Sequence, residues 1–278
     1  MRGRLSILLS ACLLPLIALQ TADADLRIDG DRLTVSTSNI RLVFQGGDII
    51  SITNRLTGDA VAYGLHRPPP LSGVLTEDGR SIALRSDGWR RGHENAENRE
   101  AAQTVLRNLT HTVWMNVILD KDTEDVTIGT WSESRTQGVK GLGVALRNLD
   151  LSAGRLIVPT DTGFEYTLKS PQKELRLVYP TEWRAQMLVW QCAEGGIVVY
   201  SRDTDGICKG IRMTRSDKYA DILLETHADG PWSSQTSVPY LEWRINAYKG
   251  DWQVPASGYR MLMAALRERT SPPDVRLW

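Results

Sequence analysis

The chain has 278 residues, with 33 Lys and Arg against 33 Asp and Glu, so its formal net charge is zero. That length fits one large or two ordinary domains, and all-β domains of roughly 200–250 residues occur as single units. Charges of both signs scattered along the chain lack the clustered positive field that neutralises phosphates, which excludes nucleic acid as an expected partner. Nine Trp stand against two Phe; an indole offers a flat apolar face that suits sugar rings, and it also anchors sandwich cores.

In chain order, Arg2 and Arg4 precede a largely apolar run from Leu5 to Leu19, followed by Ala22-Asp23-Ala24. A basic start, a short apolar stretch and small residues before the cut predict a secretory signal peptide over residues 1–24. The mature chain then begins at Asp25, and the protein is expected to be secreted or periplasmic. Pro15 interrupts the run, which is too short to span a membrane, and no other segment could. Leu9-Ser10-Ala11-Cys12 matches a bacterial lipobox, but the apolar run continues past Cys12, which favours ordinary cleavage over lipid anchoring.

Period-two alternation dominates from residue 26 to residue 248 and predicts β-strands. Leu33 and Val35 alternate with Thr34 and Ser36, and Ile40, Leu42 and Phe44 alternate with Arg41, Val43 and Gln45. Gly46-Gly47 supplies a two-residue hairpin connection where positive φ is cheap, and Asn54 to Gly58 closes the returning strand. His66 to Pro70 is too rich in proline for a central strand, and residues 87–100 read as an exposed loop. Further strands are expected at 71–75, 81–85, 104–109, 111–119, 125–133, 141–147, 155–158, 174–179, 185–192, 196–202, 208–214, 220–226 and 241–248. Only residues 254–268 carry a helical period, with Pro255 in the first turn, where its missing N–H does no harm. Tyr259, Leu262, Met263 and Leu266 mark one apolar face of that helix. Many strands and one terminal helix imply an all-β fold, a large two-sheet antiparallel supersandwich with a C-terminal linker helix. The expected division is signal peptide at 1–24, sandwich at 25–252, and helix with linker at 253–278.

Beyond the signal, the cysteines are Cys192 and Cys208. Both read as members of one three-strand meander with a complete strand between them. Next-nearest strands lie about 9–10 Å apart at the usual spacing, too far for a disulfide, so a pair of buried free thiols is expected. Asp203-Thr204-Asp205-Gly206 lacks the further ligands of a calcium loop and reads as a tight turn. Asn108-Leu109-Thr110 matches a glycosylation sequon, relevant only in a eukaryotic secretory pathway. No Cys/His spacing suggests a structural metal, and no cofactor is implied.

Three stretches together resemble the galactose mutarotase-like supersandwich that precedes the (β/α) barrel of exported glycoside hydrolases. They are Asn39 to Gly58, with "DIISITN" and Asn-x-x-Thr-Gly; Tyr179-Pro180 through Asp203, with its Gly-Gly hairpin; and the exit through Gly250-Asp251-Trp252 into a helix. The resemblance implies a non-catalytic N-terminal domain acting beside a C-terminal catalytic barrel of the same polypeptide, on carbohydrate. It also implies that the sequence stops before that barrel, leaving an apolar patch near Leu277 and Trp278. The alternative from another class is a self-contained carbohydrate-binding protein; a mutarotase or lyase on the same fold stands further behind. Mutarotases use two histidines and a glutamate, and none of His66, His93, His111 and His227 matches such a motif.

No catalytic residue is assigned, since the barrel would supply the two carboxylates that glycoside hydrolysis requires. The acidic clusters Glu94, Glu97 and Glu100, and Asp120, Asp122, Glu124 and Asp125, read as solvated loop surface. Trp89, Trp183 and Trp232, all in loops beside polar residues, are the candidate carbohydrate contacts. Trp114, Trp131, Trp190 and Trp243 fall within strands and are expected in the core, and Trp252 is expected to plug the junction between sandwich and helix.

Overall fold

The computed structural model describes residues 24–63, 70–93 and 97–270, with side chains described as far as residue 266. The signal-peptide and lipobox expectations, His66 and most of the proline-rich excursion, Glu94 and the apolar tail at Leu277 and Trp278 lie outside the described residues. What is described is two large antiparallel sheets facing each other, with one long helix at the end.

The first sheet has eleven strands. Its path runs from Asp25–Asp29 through Arg32–Ser36, Ile40–Gln45, Asp48–Asn54 and Ala60–Ala62 to the long central strand Val139–Asp150, then to Tyr219–His227, Lys209–Ser216 and Glu174–Tyr179. The second sheet has ten, running from Phe164–Tyr166 through Arg155–Val158, Met187–Gln191, Gly195–Tyr200, Ser237–Lys249, Val126–Ser134 and His111–Asp120 to Arg99–Arg107 and Arg85–Ser86. Alternation in sequence becomes alternation of faces, as the two-residue period of a strand requires. Leu33, Val35, Leu42, Leu142, Val144, Ile222 and Leu224 from the first sheet meet Val113, Met115, Val117, Ile128, Ile197, Trp243 and Ile245 from the second in one continuous buried core.

The predicted hairpin forms at Gly46-Gly47, where Gln45 pairs with Asp48 and Gly46 takes φ +57°. The strand expected at 104–109 begins earlier, at Arg99, and the stretch at 87–93 is no simple exposed loop: Arg90–Arg91 pairs with Arg99–Arg107, and Trp89 is buried against Phe44. The expected meander is not one sheet, and neither cysteine lies within a strand: Cys192 follows Met187–Gln191 and Cys208 precedes Lys209–Ser216. After Tyr200 the chain crosses from the second sheet to the first, so Cys192 and Cys208 adjoin strands of different sheets. Both are free thiols, Cys192 in the core and Cys208 partly exposed.

The helix, Gln253–Thr270, lies on the outer face of the second sheet. Ala256 and Tyr259 pack on Met187, Val189, Val198 and Tyr248, and the Gln186 backbone N–H donates to the Tyr259 hydroxyl at 3.0 Å. Tyr259, Leu262, Met263 and Leu266, the predicted face, are half-buried, as are Pro255 and Ala256. Trp252, expected as a plug, is instead 36% exposed.

Candidate functional site

The three resembling stretches, distant in sequence, meet at the corner from which the helix departs. The Asn54 side-chain amide donates to the carbonyls of Gly196 and Tyr248 at 3.0 and 2.8 Å, tying the first sheet to the second. Gln191 donates to Gly195 and Gly250 carbonyls at 3.2 and 3.1 Å and accepts from the Tyr248 hydroxyl at 2.7 Å. Only glycine fits at 195 and 196, because an added Cβ would lie 2.2 Å from the Tyr248 oxygen and 2.0 Å from the Trp190 oxygen. The motifs therefore encode a buried corner that fixes where the chain leaves the sandwich. Beside it opens a groove of about 930 Å³ bordered by Gly154, Gln191, Gly250 and Asp251.

Of the three candidate carbohydrate contacts, two have no face to offer. Trp183 is fully buried, stacked on Trp243 with centroids 6.1 Å apart, and its indole N–H donates to the Met187 carbonyl at 2.7 Å. Trp89 is 4% exposed and packs edge-on against Phe44. Apolar partners sequester both rings, a consequence of tertiary packing that their polar sequence neighbours did not signal. Trp232 is half-buried, in the short 3-10 turn Trp232–Ser234, with its N–H donated to the Ala228 carbonyl at 3.0 Å. The Lys140 ammonium stands 4.7 Å from its ring centroid.

Trp232 borders a polar row on the outer face of the first sheet. Its ring meets the edge of His227, 6.1 Å between centroids. His227 Nε2 lies 3.0 Å from Glu225 Oε2, and Arg212 Nη2 lies 2.7 Å from Glu225 Oε1. On its other side, His227 Nδ1 lies 3.4 Å from Cys208 Sγ. The row exists because Glu225 and His227 are two apart on one strand, Arg212 lies on the neighbouring strand, and the carbonyl of Cys208, just before that strand, accepts the His227 backbone N–H. Gly141, paired with His227, keeps that face open: a Cβ there would meet the Thr226 oxygen at 2.3 Å and the imidazole at 3.2 Å. Burial works to raise the Glu225 pKa, but His227 and the Arg212 charge outweigh it and hold the carboxyl below its ordinary value. Burial likewise works against a charged His227, yet Cys208 and Glu225 together raise it above the usual histidine range. Thus one histidine and one glutamate do converge, although their i, i+2 spacing in a strand carried no recognisable motif. Of the other described histidines, His111 bonds Ser134 Oγ at 2.6 Å and is shifted down by burial, and His93 is exposed.

Trp190 and Trp243 are in the core as expected. Trp114 and Trp131 are not: they are direct cross-strand partners on the outer face of the second sheet, stacked at 5.6 Å with planes 8° apart. Tyr240, 45% exposed, extends the group over Gly129, where any side chain would strike its ring. Val113, Met115 and Val117 take the inward positions of the same strand, so the alternation itself placed Trp114 outward. The acidic loops are structural: Asp120 accepts the backbone N–H groups of Asp122 and Thr123, and Glu100 pairs with Arg91 and Lys121. Asp203 receives the Asp205 N–H and lies 2.7 Å from the Lys209 ammonium, so the Asp-Thr-Asp-Gly stretch is a turn. Among the described residues, no group of three or more His, Cys, Asp or Glu could hold a metal ion.

No protein-family model matches the sequence, and no curated protein is similar to it in sequence. Solved structures share its fold. The alpha-N-acetylgalactosaminidase NagBb from Bifidobacterium bifidum, in its GalNAc complex, superposes on 85% of this chain and 39% of its own length, with TM-score 0.59 and 10% identity. For the alpha-galactosidase from Lactobacillus brevis the values are 86% and 42%, with TM-score 0.53 and 9% identity. For a GH36 alpha-galactosidase from Geobacillus stearothermophilus in complex with stachyose they are 87% and 45%, with TM-score 0.54 and 10% identity. The sandwich is thus one that glycoside hydrolases carry, as the sequence resemblance implied, and the chain spans about two fifths of the length of these enzymes.

Proposed function

We propose that this chain is the non-catalytic N-terminal domain of an exported glycoside hydrolase-like protein that acts on carbohydrate. A single observation carries the reading: the whole sandwich corresponds to about two fifths of several galactoside-cleaving enzymes, leaving the larger part of such an enzyme for a catalytic barrel. The buried corner that joins all three resembling stretches supports it, since a rigid exit is what positions a following domain. In this reading residues 1–24 direct export, the sandwich braces the barrel, and the helix leads toward it. Trp232, with Lys140 over its ring, is the carbohydrate contact that remains among the three candidates. An indole face packs on sugar C–H groups while a nearby ammonium donates to hydroxyls.

The test has three arms. The gene is read downstream of the codon for Trp278, where a barrel-encoding frame is expected. The 278-residue chain and the extended protein are assayed on aryl α-galactosides, and only the extended protein is expected to turn them over. Galactose and N-acetylgalactosamine are titrated against the extended protein and its Trp232→Ala variant, with about a tenfold affinity loss expected from a lost stacking contact. Clear turnover by the 278-residue chain alone would overturn the non-catalytic reading.

The stacked Trp114 and Trp131 with the exposed Tyr240 favour a second reading, a carbohydrate-binding role for the domain itself. A small pocket of about 280 Å³ flanks Trp114, bordered by Asp87, Arg90, Gln103 and Asn116. Sugar-induced change in indole fluorescence that disappears in Trp114→Ala but persists in Trp232→Ala would support it.

A further inference from the structure

We propose that Cys208 is a reactive thiolate, held as an ion pair with the His227 imidazolium, and that it is the site at which peroxide and other soft electrophiles modify this domain. The geometry is a continuous relay of alternating charge on one sheet face. Cys208 Sγ lies 3.4 Å from His227 Nδ1, His227 Nε2 lies 3.0 Å from Glu225 Oε2, and Arg212 Nη2 lies 2.7 Å from Glu225 Oε1. A carboxylate on one ring nitrogen orients the imidazole and stabilises its protonated form, which in turn stabilises a thiolate at the other nitrogen.

The charged groups around the sulfur reinforce this. Tyr219–His227 contributes His227 and Glu225, and Val139–Asp150 contributes Lys140 beside Trp232. The next residue, Lys209, has its ammonium engaged by Asp203 on the core side. From Glu174–Tyr179, Arg176 acts on Glu225 and Lys140, and the Tyr179 carbonyl lies 3.8 Å from the sulfur. The bond to His227 draws the Cys208 thiol pKa below its ordinary value; burial opposes that shift, while the His227, Lys209 and Lys140 charges add to it.

Cys192 provides the internal contrast. It is buried in the core, and burial pushes its pKa up to about 11. Cys208 is partly exposed and lies on the outer face of the opposite sheet, so the two sulfurs do not bridge and oxidation of Cys208 has no resolving partner in Cys192. With hydrogen peroxide the step balances simply. The thiolate attacks one peroxide oxygen, the O–O bond breaks, and Cys208 becomes a sulfenic acid, oxidised by two electrons. The departing hydroxide takes the proton from His227 and leaves as water.

Iodoacetamide alkylation of the intact protein from about pH 4 to 9, with adducts mapped by peptide mass spectrometry, tests the proposal. Cys208 is expected to react with a midpoint at least about one pH unit below an ordinary thiol near ~8.5, while Cys192 stays unmodified until the protein unfolds. His227→Asn is expected to cut the Cys208 rate at about pH 6 roughly tenfold and to return the midpoint to the ordinary range. Glu225→Gln should change both in the same direction by less. After peroxide treatment, dimedone should label Cys208 and leave Cys192 free. A Cys208 that is inert in the folded protein, or titrates as an ordinary thiol, overturns the proposal, as does a natively folded His227→Asn with an unchanged profile. Should that variant not fold, the wild-type profile alone decides.

Discussion

The outer faces of the two sheets are built from different chemistry. On the first sheet the outward positions hold charge in fixed networks. Arg147 sits in a bulge of the central strand, 2.7 Å from Asp48 and 3.2 Å from Asp221, and the Arg212–Glu225–His227–Cys208 row runs nearby. On the second sheet rings dominate the outward positions beside a smaller charge cluster: Trp114 on Trp131, Tyr240 beside them, Tyr200 against Tyr259 of the helix, and Asp125 bonded by Tyr200 and Asn246. Charges buried in an outer face must be fully paired or they cost several kcal/mol, so the first face is rigid and intolerant. Rings half-exposed on a sheet lose little by exposure and stay available for contact. The lesson is that a sandwich has two solvent-side surfaces: here the first offers a single half-buried indole, Trp232, and the second a group of rings.

The largest expected effect comes from breaking the first face at its centre. Arg147→Ala leaves Asp48, which is fully buried, without its cation. The expected loss is about 3–5 kcal/mol, read as a lower urea midpoint at unchanged slope. Glu225→Gln, which weakens two charge-assisted contacts at a residue 1% exposed, is expected to cost about 1.5–3 kcal/mol by the same measurement. A loss below ~0.5 kcal/mol in either would dissolve the contrast between the faces.

pH sharpens the comparison without mutation. His227 has a raised folded-state pKa, so its contribution is fully present below the unfolded histidine value and is lost as pH rises through the raised value. Glu225 has a lowered one, so its contribution is present above the unfolded carboxylate value and is lost as pH falls through the lowered value. The Glu225–His227 pair should therefore stabilise most in mildly acidic solution. Thermal melts of wild type and His227→Gln, compared across that range, should converge on the alkaline side. The smallest effect belongs to the second face: Trp114→Ala is expected to cost only about 0.5–1.5 kcal/mol, the scale of a partly exposed aromatic pair. It should also remove the exciton signature of the stacked indoles from the far-UV circular dichroism.

The sequence by itself determined the strands, the sandwich and the helix, because side-chain alternation is a local property that each strand carries alone. Strands 155–158 and 174–179 have the predicted bounds, and the helix has the predicted apolar face. It also determined that Gly195 and Gly196 matter, though not that they seal a corner with Asn54 and Tyr248. What only the tertiary structure decided is which sheet each strand joins and which neighbours sit beside each outward residue. The crossing after Tyr200 separates the two cysteines and brings Cys208 beside His227, across nineteen residues of chain. The same assembly buried Trp89 and Trp183, opposite to what their polar neighbours suggested, whereas strand alternation alone already turned Trp114 outward, and it and Trp131 are half-buried. Strand patterns report a period, and a period cannot say whether the face it defines meets the core, a helix or water until the sheets have paired.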